Sequence, residues 1–284
     1  MPSRRIYTTS EVHIDPPGAI ANAAVGAVTS ATYTRDTPRE QVACFGKSGQ
    51  VDTVRTEGTA ATMEIVFHPT TNDSVEKSGG AQADGFGTAD LEACIKDASK
   101  DSPDYSTIVV MGVGKLTSAI LTSITAEGSV GALPSITLAF DGVGASDTAT
   151  VAATTASFNI ANMQTVKLIA AGNEEGGYAK GNITSFAQSA TFNWEMPTER
   201  IARIGTSPDS VHVYGMPPGT ASIATEGIQD SGRITAVEFG AWTFTMDTDS
   251  KVSNVTNNMA VGEIGATYNT TTEGVAEGVK CAAV

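Results

Sequence analysis

The residues most often used in catalysis are few in this chain and stand in unrelated contexts. Its three histidines are His13, His68 and His212. No H-x-E, H-E-x-x-H or G-x-S-x-G motif occurs, so no spacing places a general base beside a metal or a nucleophile. The sequence therefore predicts no catalytic residues, and we expect a protein that is not an enzyme.

The cysteines predict neither a disulfide framework nor a metal site. Cys44, Cys94 and Cys281 are an odd number and form no C-x-x-C pair. We interpret them as buried or incidental thiols. The sequence predicts no bound metal and no cofactor.

Two glycine-rich segments have only part of the pattern of a ligand loop. GVGKLTS, residues 112–118, has Leu116 where a phosphate loop needs Ser or Thr after its lysine, so a strand kinked by glycines is the better interpretation. DGVGASD, residues 141–147, lacks the alternating oxygen ligands of a calcium loop. We expect a polar turn there.

Carboxylates at the ends of predicted strands are the remaining candidates. Three lie on the polar side of alternating segments, namely Asp36, Glu195 and Asp247. Three more have a weaker basis, namely Glu64, Asp141 and Glu238. One interpretation is a ladder of negative charge on a common surface, and the other is a set of ordinary solvated residues at strand edges.

The elements that would position these carboxylates repeat along the chain. SATYTRDTPREQVACFG, residues 30–46, returns as SATFNWEMPTERIARIG, residues 189–205, with seven identities. Each copy begins with the alternation of a strand that buries one face, clearest in the second copy at Ala190, Phe192, Trp194 and Met196. A proline, Pro38 or Pro197, then ends the strand, because proline cannot donate to a sheet ladder.

Composition and repeat together predict a mainly β chain of two tandem domains. Aromatic residues are only 6% of the chain, and there are 29 glycines. We expect an N-terminal arm over residues 1–22 that enters no sheet, a first domain over 23–147 and a second over 148–284.

Two shorter segments refine this division. DLEACIKDASK, residues 90–100, is predicted to be a helix flanking the first domain, because Leu91 and Ile95 have helical spacing and Asp90 is acidic in the first turn. RITAVEFGAWTFTMDTD, residues 233–249, is predicted to be the longest strand of the second domain.

The charge of the chain excludes one class of function. The formal net charge is -14, from 17 basic and 31 acidic residues, so binding DNA in a basic groove is not expected. An acidic surface keeps an abundant protein soluble or repels nucleic acid. No apolar run is long enough to span a membrane, and we expect synthesis in the cytoplasm without an export signal.

The order of these motifs resembles one known family. Each half has the SAT strand, then PxE and a closing glycine, then GTA opening a strand, then a VG segment before a late strand, as in VGALPSITLAFDG and VGEIGATYNTTTEG. From residue 23 to residue 274, this pattern resembles the major tail tube protein of tailed bacteriophages in its duplicated form.

The resemblance implies a structural virion protein whose two tandem domains are β-sandwich or barrel tube domains, with one helix flanking the first. Its expected partner is itself, with three chains forming a ring of pseudo-sixfold symmetry and rings stacking into the tube of the tail. The tube would enclose a tape-measure protein, meet tail terminator and baseplate or tip proteins, and conduct DNA without binding it specifically. The protein would be assembled in the host cytoplasm and located in the virion tail.

The resemblance also implies roles for particular residues. Asp36, Glu195 and Asp247 become candidates for a negatively charged lumen. The N-terminal arm and the polar loop over residues 69–87 become candidates for contacts between rings. The alternative is another β-sandwich virion or surface protein, such as a fibre, a decoration protein or an adhesin, that forms no tube.

Overall fold

The structure is a computed structural model, and it describes residues 12–17, 23–36, 39–42, 52–55, 60–69, 75–77, 82–83, 85–110, 113–145, 154–155, 166–170, 187–202, 211–227, 233–258 and 267–283. The strands up to residue 145 are β1 (Val12–Asp15), β2 (Ala23–Ala24), β3 (Val28–Asp36), β4 (Arg39–Val42), β5 (Asp52–Arg55), β6 (Ala60–Phe67), β7 (Val75–Lys77), β8 (Gln82–Ala83), β9 (Ser106–Val110), β10 (Gly114–Ser129) and β11 (Ser135–Ala145). A single α-helix in the described ranges, α1 (Thr88–Ala98), lies between β8 and β9.

The later described strands complete a mainly β, antiparallel fold. They are β12 (Thr154–Thr155), β13 (Val166–Ala170), β14 (Ala187–Glu195), β15 (Thr198–Ala202), β16 (Val211–Gly215), β17 (Thr220–Gly227), β18 (Ile234–Phe239), β19 (Trp242–Thr245), β20 (Lys251–Asn258), β21 (Thr267–Val275) and β22 (Lys280–Ala283). A 3-10 turn, Ala276–Gly278, precedes β22. Within the described ranges the sheets form no closed barrel.

The largest sheet contains a continuous run of eight antiparallel strands. Its order is β3-β6-β11-β10-β14-β17-β21-β20. The first four strands lie before residue 146 in the chain and the last four after residue 186. They meet where the second half of β10 pairs with β14, from Ser123↔Glu195 to Ser129↔Ser189. We call this pairing the internal joint.

The first and last four strands of this run have the same register. One row of paired residues across β3, β6, β11 and β10 is Ala31, Ile65, Leu138 and Ile124. The corresponding row across β14, β17, β21 and β20 is Ala190, Thr225, Thr270 and Val255. These two rows fix which residue of one group of strands corresponds to which residue of the other.

The irregularities of the two groups also fall at corresponding positions. The ladder skips Thr29 in β3 and Gln188 in β14, and it skips Thr122 in β10 and Ser253 in β20. The Thr122 hydroxyl donates to the Ala139 carbonyl at 3.0 Å, and the Ser253 hydroxyl donates to the Thr271 carbonyl at 3.3 Å. Such bulges bend a strand at a fixed place, so the two groups bend alike.

One core unites the early and late parts of the chain. A second sheet, of order β13-β18-β19-β22, packs against the apolar face of the eight-strand run. The ring of Trp242 in β19 meets the ring of Phe67 in β6 edge-on, with centroids 5.5 Å apart, and Phe244 stacks on Phe192 at 4.5 Å. Because the buried residues form one contiguous cluster, the proposed division at residues 147 and 148 is not visible in the packing and stays a prediction.

The predicted helix is confirmed, and its C-terminus is fixed by a buried carboxylate. Leu91 and Ile95 of α1 are fully buried, and the Asp90 carboxylate accepts the Gly87 N–H at 2.9 Å at the N-terminus. Near the other end, the Asp97 carboxylate accepts the N–H groups of Asp104 at 2.9 Å and Tyr105 at 3.1 Å. Asp97 thereby holds the segment that leads into β9.

We expect Asp97→Ala to lower the free energy of unfolding by about 3 kcal/mol, because the N–H groups of Asp104 and Tyr105 would lose the buried carboxylate that accepts them. Asp97→Asn should lose less, since its amide oxygen still accepts one of them. Chemical denaturation of both variants measures the difference. A loss under about 0.5 kcal/mol in the alanine variant would contradict a structural role for this carboxylate.

Three sequence predictions were wrong in the described ranges. Residues 12–15, assigned to the arm, form β1, which is buried and pairs with both β9 and β2 because Val12 and Ile14 are apolar. The segment over residues 233–249 is two strands, β18 and β19, because Gly240 adopts a φ of +60° and turns the chain. Residues 141–145 continue β11 and do not form a turn.

Candidate functional site: the open face and free edges of the sheet

The eight-strand run has one face packed on the core and one that the second sheet leaves open. The open face carries alternate residues of each strand, mostly Thr, Ser, Asn and acidic residues, because their neighbours supply the core. Its carboxylates in the described residues are Asp36, Glu64, Glu127, Asp141, Glu195, Glu226 and Glu273. All are exposed except Asp141, which is partly buried. We call this surface the open face.

The structure brings two of the three main candidate carboxylates to this face. Asp36 ends β3 and Glu195 ends β14, at corresponding positions of the two groups of strands. Asp247 is elsewhere, in the connection between β19 and β20, where its carboxylate accepts the Thr248 N–H. The alternation of apolar and polar residues in the sequence continues to Asp247, but β19 ends two residues earlier, at Thr245. Asp247 therefore lies beyond the strand.

The weaker candidates are divided in the same way. Glu64 in β6 and Asp141 in β11 lie on the open face, whereas Glu238 lies in β18 of the second sheet, where it pairs with Lys167 in the ladder. The sequence analysis missed Glu127, Glu226 and Glu273. Buried and exposed residues alternate in β10, β17 and β21, and each of these glutamates follows a buried residue. That alternation is the sequence signal that could have identified them.

One carboxylate of the open face is neutralised by a clamp across the internal joint. The Asp141 carboxylate in β11 forms an ion pair with the Arg200 guanidinium in β15, and Thr198 also donates to it at 3.4 Å. Arg200 reaches the Ala61 carbonyl of β6 at 3.4 Å as well. The hairpin β15–β16 is therefore tied to strands of the earlier group, and we call these contacts the joint clamp.

The two outer strands of the run are free edges within the described residues. β20 pairs only with β21, and β3 pairs only with β6. Residues 251–256 of β20 are all exposed, including Val252 at 38% and Val255 at 45%. Their counterparts in β10, Leu121 and Ile124, are 1% and 0% exposed because they belong to the core cluster in the middle of the run.

These free edges leave backbone groups open to pairing with another strand. An edge strand presents unpaired N–H and C=O groups, and proteins commonly protect such an edge with charges, proline or a covering segment. The β20 edge carries exposed valines at positions that are core positions in β10. The arrangement can accept another strand on each side of the run.

Outside the open face, the titratable groups that the structure describes form no catalytic or metal constellation. His13, His68 and His212 lie on separate elements, and the described residues contain no group of three or more His, Cys, Asp or Glu side chains placed to hold a metal ion. Burial raises the pKa of the Cys94 thiol to about 12 and also raises the pKa of the Cys281 thiol. Cys94 and Cys281 are buried as predicted, and Cys44 lies outside the described residues.

Comparisons with known proteins identify no family for this chain. No protein-family model matches the chain, and no curated protein matches it. Of the helices in the described residues, none has the length and apolar character needed to cross a bilayer.

Proposed function

We propose that the chain is a structural virion protein that polymerises through its free sheet edges into stacked rings, forming the tube of a phage tail. The tube would enclose a tape-measure protein and conduct DNA to the host. Each chain would contribute two tube units, one before and one after about residue 147, and three chains would close a ring of pseudo-sixfold symmetry.

The observation that carries this proposal is the internal joint. Within one chain, β10 at the end of the first four strands pairs with β14 at the start of the next four. The strand that corresponds to β10 in the later group is β20, and the strand that corresponds to β14 in the earlier group is β3. Because these two are the free edges, a second copy can repeat the internal joint by pairing its β3 with β20 of the first.

Shared registers support a tandem duplication. The ladders β3–β6 and β14–β17 have the same alignment, as do β6–β11 and β17–β21, and the skipped residues coincide in both groups. The hairpins β4–β5 and β15–β16 follow β3 and β14 in the same way. A duplication explains why one end of the chain complements the other.

Edge pairing between copies would also bury the exposed valines of β20. Burying a valine side chain contributes about 1.5 kcal/mol or more, and each new backbone pair satisfies groups that are otherwise left to water. Repeating the pairing at every edge removes free edges altogether, as in a closed barrel. The open face, with its row of carboxylates, would then line a lumen that repels the DNA phosphates at short range.

Electron microscopy of the purified chain tests the proposal. We expect hollow rods in negative stain, and rings of three chains with pseudo-sixfold symmetry when the rods are resolved by cryo-EM. The alternative of a fibre, decoration protein or adhesin predicts solid fibrils or discrete oligomers. A chain that stays monomeric at high concentration, with β3 and β20 unpaired, would refute self-assembly through these edges.

A further inference from the structure

The free edge β20 carries a charged residue on the open face at a position where its internal counterpart β10 has an apolar one. Lys251 of β20 is directly opposite Glu273 of β21. The corresponding pair in the earlier strands is Ile120 of β10 opposite Asp141 of β11. The apolar Ile120 is suitable in β10 because its side chain is buried, and Asp141 is already paired with Arg200 in the joint clamp.

The register of the internal joint identifies what Lys251 would meet in a second copy. At that joint Glu195 is opposite Ser123, so its equivalent Asp36 would be opposite Asn254, the equivalent of Ser123. Lys251 is the next residue of β20 on the open face after Asn254, because Ser253 is skipped and Val252 faces the core side. A diagonal neighbour of this kind is about 7–8 Å away between backbones, within reach of a lysine side chain.

Edge pairing needs such a feature to choose its register. A shift of one residue is prevented because it would turn the polar face of the strand towards the core. A shift of two residues keeps every side chain on its face, and the neighbouring open-face residues Thr32, Thr34 and Thr256 are too alike to prevent it. On the open face, opposite charges at fixed places are what distinguishes the two registers.

We propose that Lys251 of one copy bridges Glu273 of its own chain and Asp36 of the next, and that this bridge sets the register of the ring. The ammonium group lies between two carboxylates that would otherwise repel each other across the new joint. This inference rests on the proposed function, because it requires the edge pairing of β20 with β3.

Charge reversal tests the bridge in the full-length protein. We expect Lys251→Glu and Asp36→Lys each to raise the concentration needed for tube formation about tenfold, and the double variant to return it to within about threefold of the unchanged chain. Lys280→Glu is the matched control. Lys280 is exposed in β22, so this substitution makes the same change of charge away from the free edges β3 and β20. All three side chains are exposed, so thermal unfolding should change little, and the largest change should come from Lys251→Glu, which places a carboxylate opposite Glu273 of the same chain.

The outcomes separate this inference from the proposed function. If the unchanged chain forms no rods, the proposed function itself fails. If it forms rods and the single reversals assemble as well as the Lys280→Glu control, or the double variant is worse than both single variants, the bridge is refuted while the tube remains. Rescue by the double variant supports the bridge, because independent surface effects would add.

Discussion

A chain with Thr34→Cys and Thr256→Cys becomes covalently linked to its neighbours on assembly, and the linkage stops at three chains. The register of the internal joint places Thr34 of one copy directly opposite Thr256 of another, as Asn193 is opposite Thr125 within the chain. Oxidised rods should therefore give bands of one, two and three chains on a non-reducing gel, and reduction should return them to one.

The geometry of the internal joint makes this pair favourable for a disulfide. Met196 donates its N–H to the Thr122 carbonyl at 2.9 Å, and Val130 donates to the Gln188 carbonyl at 2.9 Å. Hydrogen-bonded pairs alternate with non-hydrogen-bonded ones along an antiparallel ladder, so Asn193 and Thr125 form a non-hydrogen-bonded pair. Its backbone separation of about 4.5 Å is within the range that a disulfide spans.

Two control variants make the linking experiment decisive. Thr125→Cys with Asn193→Cys should form an internal disulfide in every chain, assembled or not, because that pair is already opposite. Thr34→Cys with Asn254→Cys is displaced by two residues from the expected register and should link poorly. All variants carry Cys44→Ser, since Cys94 and Cys281 are buried.

The same gel distinguishes a closed ring from an open fibre. A ring of three leaves no free edge, so no band larger than three chains forms. A head-to-tail fibre continues beyond three chains into an unlimited ladder of bands. Efficient linking in the displaced control, or an unlimited ladder in the main variant, would contradict the proposed ring.

Local periodicity in the sequence was enough to predict single elements. The alternation from Ala190 to Met196 predicted β14 and its buried face, because a strand's side chains alternate whatever it pairs with. Leu91 and Ile95 predicted α1 because three to four residues make one helical turn. These signals lie within a few residues of each other in the chain.

The pairing between elements could not be predicted in this way. The first part of β10 pairs with β9 and the second part with β14. Because these pairings are made by backbone groups, which every residue has, no particular residue type in the sequence reveals them. Arg200 and Asp141 are 59 residues apart, so nothing local indicates their ion pair. Asp247 was misplaced because the alternation of its segment continues past the end of β19.

The largest effect on how strongly the tubes hold DNA should come from reversing charge in the middle of the open face. Glu64 in β6 and Glu226 in β17 are exposed there, one in each group of strands, so each occurs three times in a ring of three chains. We expect Glu64→Lys with Glu226→Lys to leave assembly intact, because neither residue is on an edge strand. The lumen of these tubes would carry rings of positive charge in place of negative ones.

Tubes of this double variant should bind short duplex DNA at about 0.1 M salt at least tenfold more tightly than unchanged tubes, with an affinity that falls steeply as salt rises. Co-sedimentation of labelled DNA with the tubes measures it. Asp101→Lys with Asp249→Lys is the control, since both residues are exposed outside the open face and give the same change of charge. If the control tubes retain as much DNA as the open-face variant, the carboxylates of the open face do not line the channel, because only charges within it would meet DNA at distances shorter than the screening length of about 10 Å.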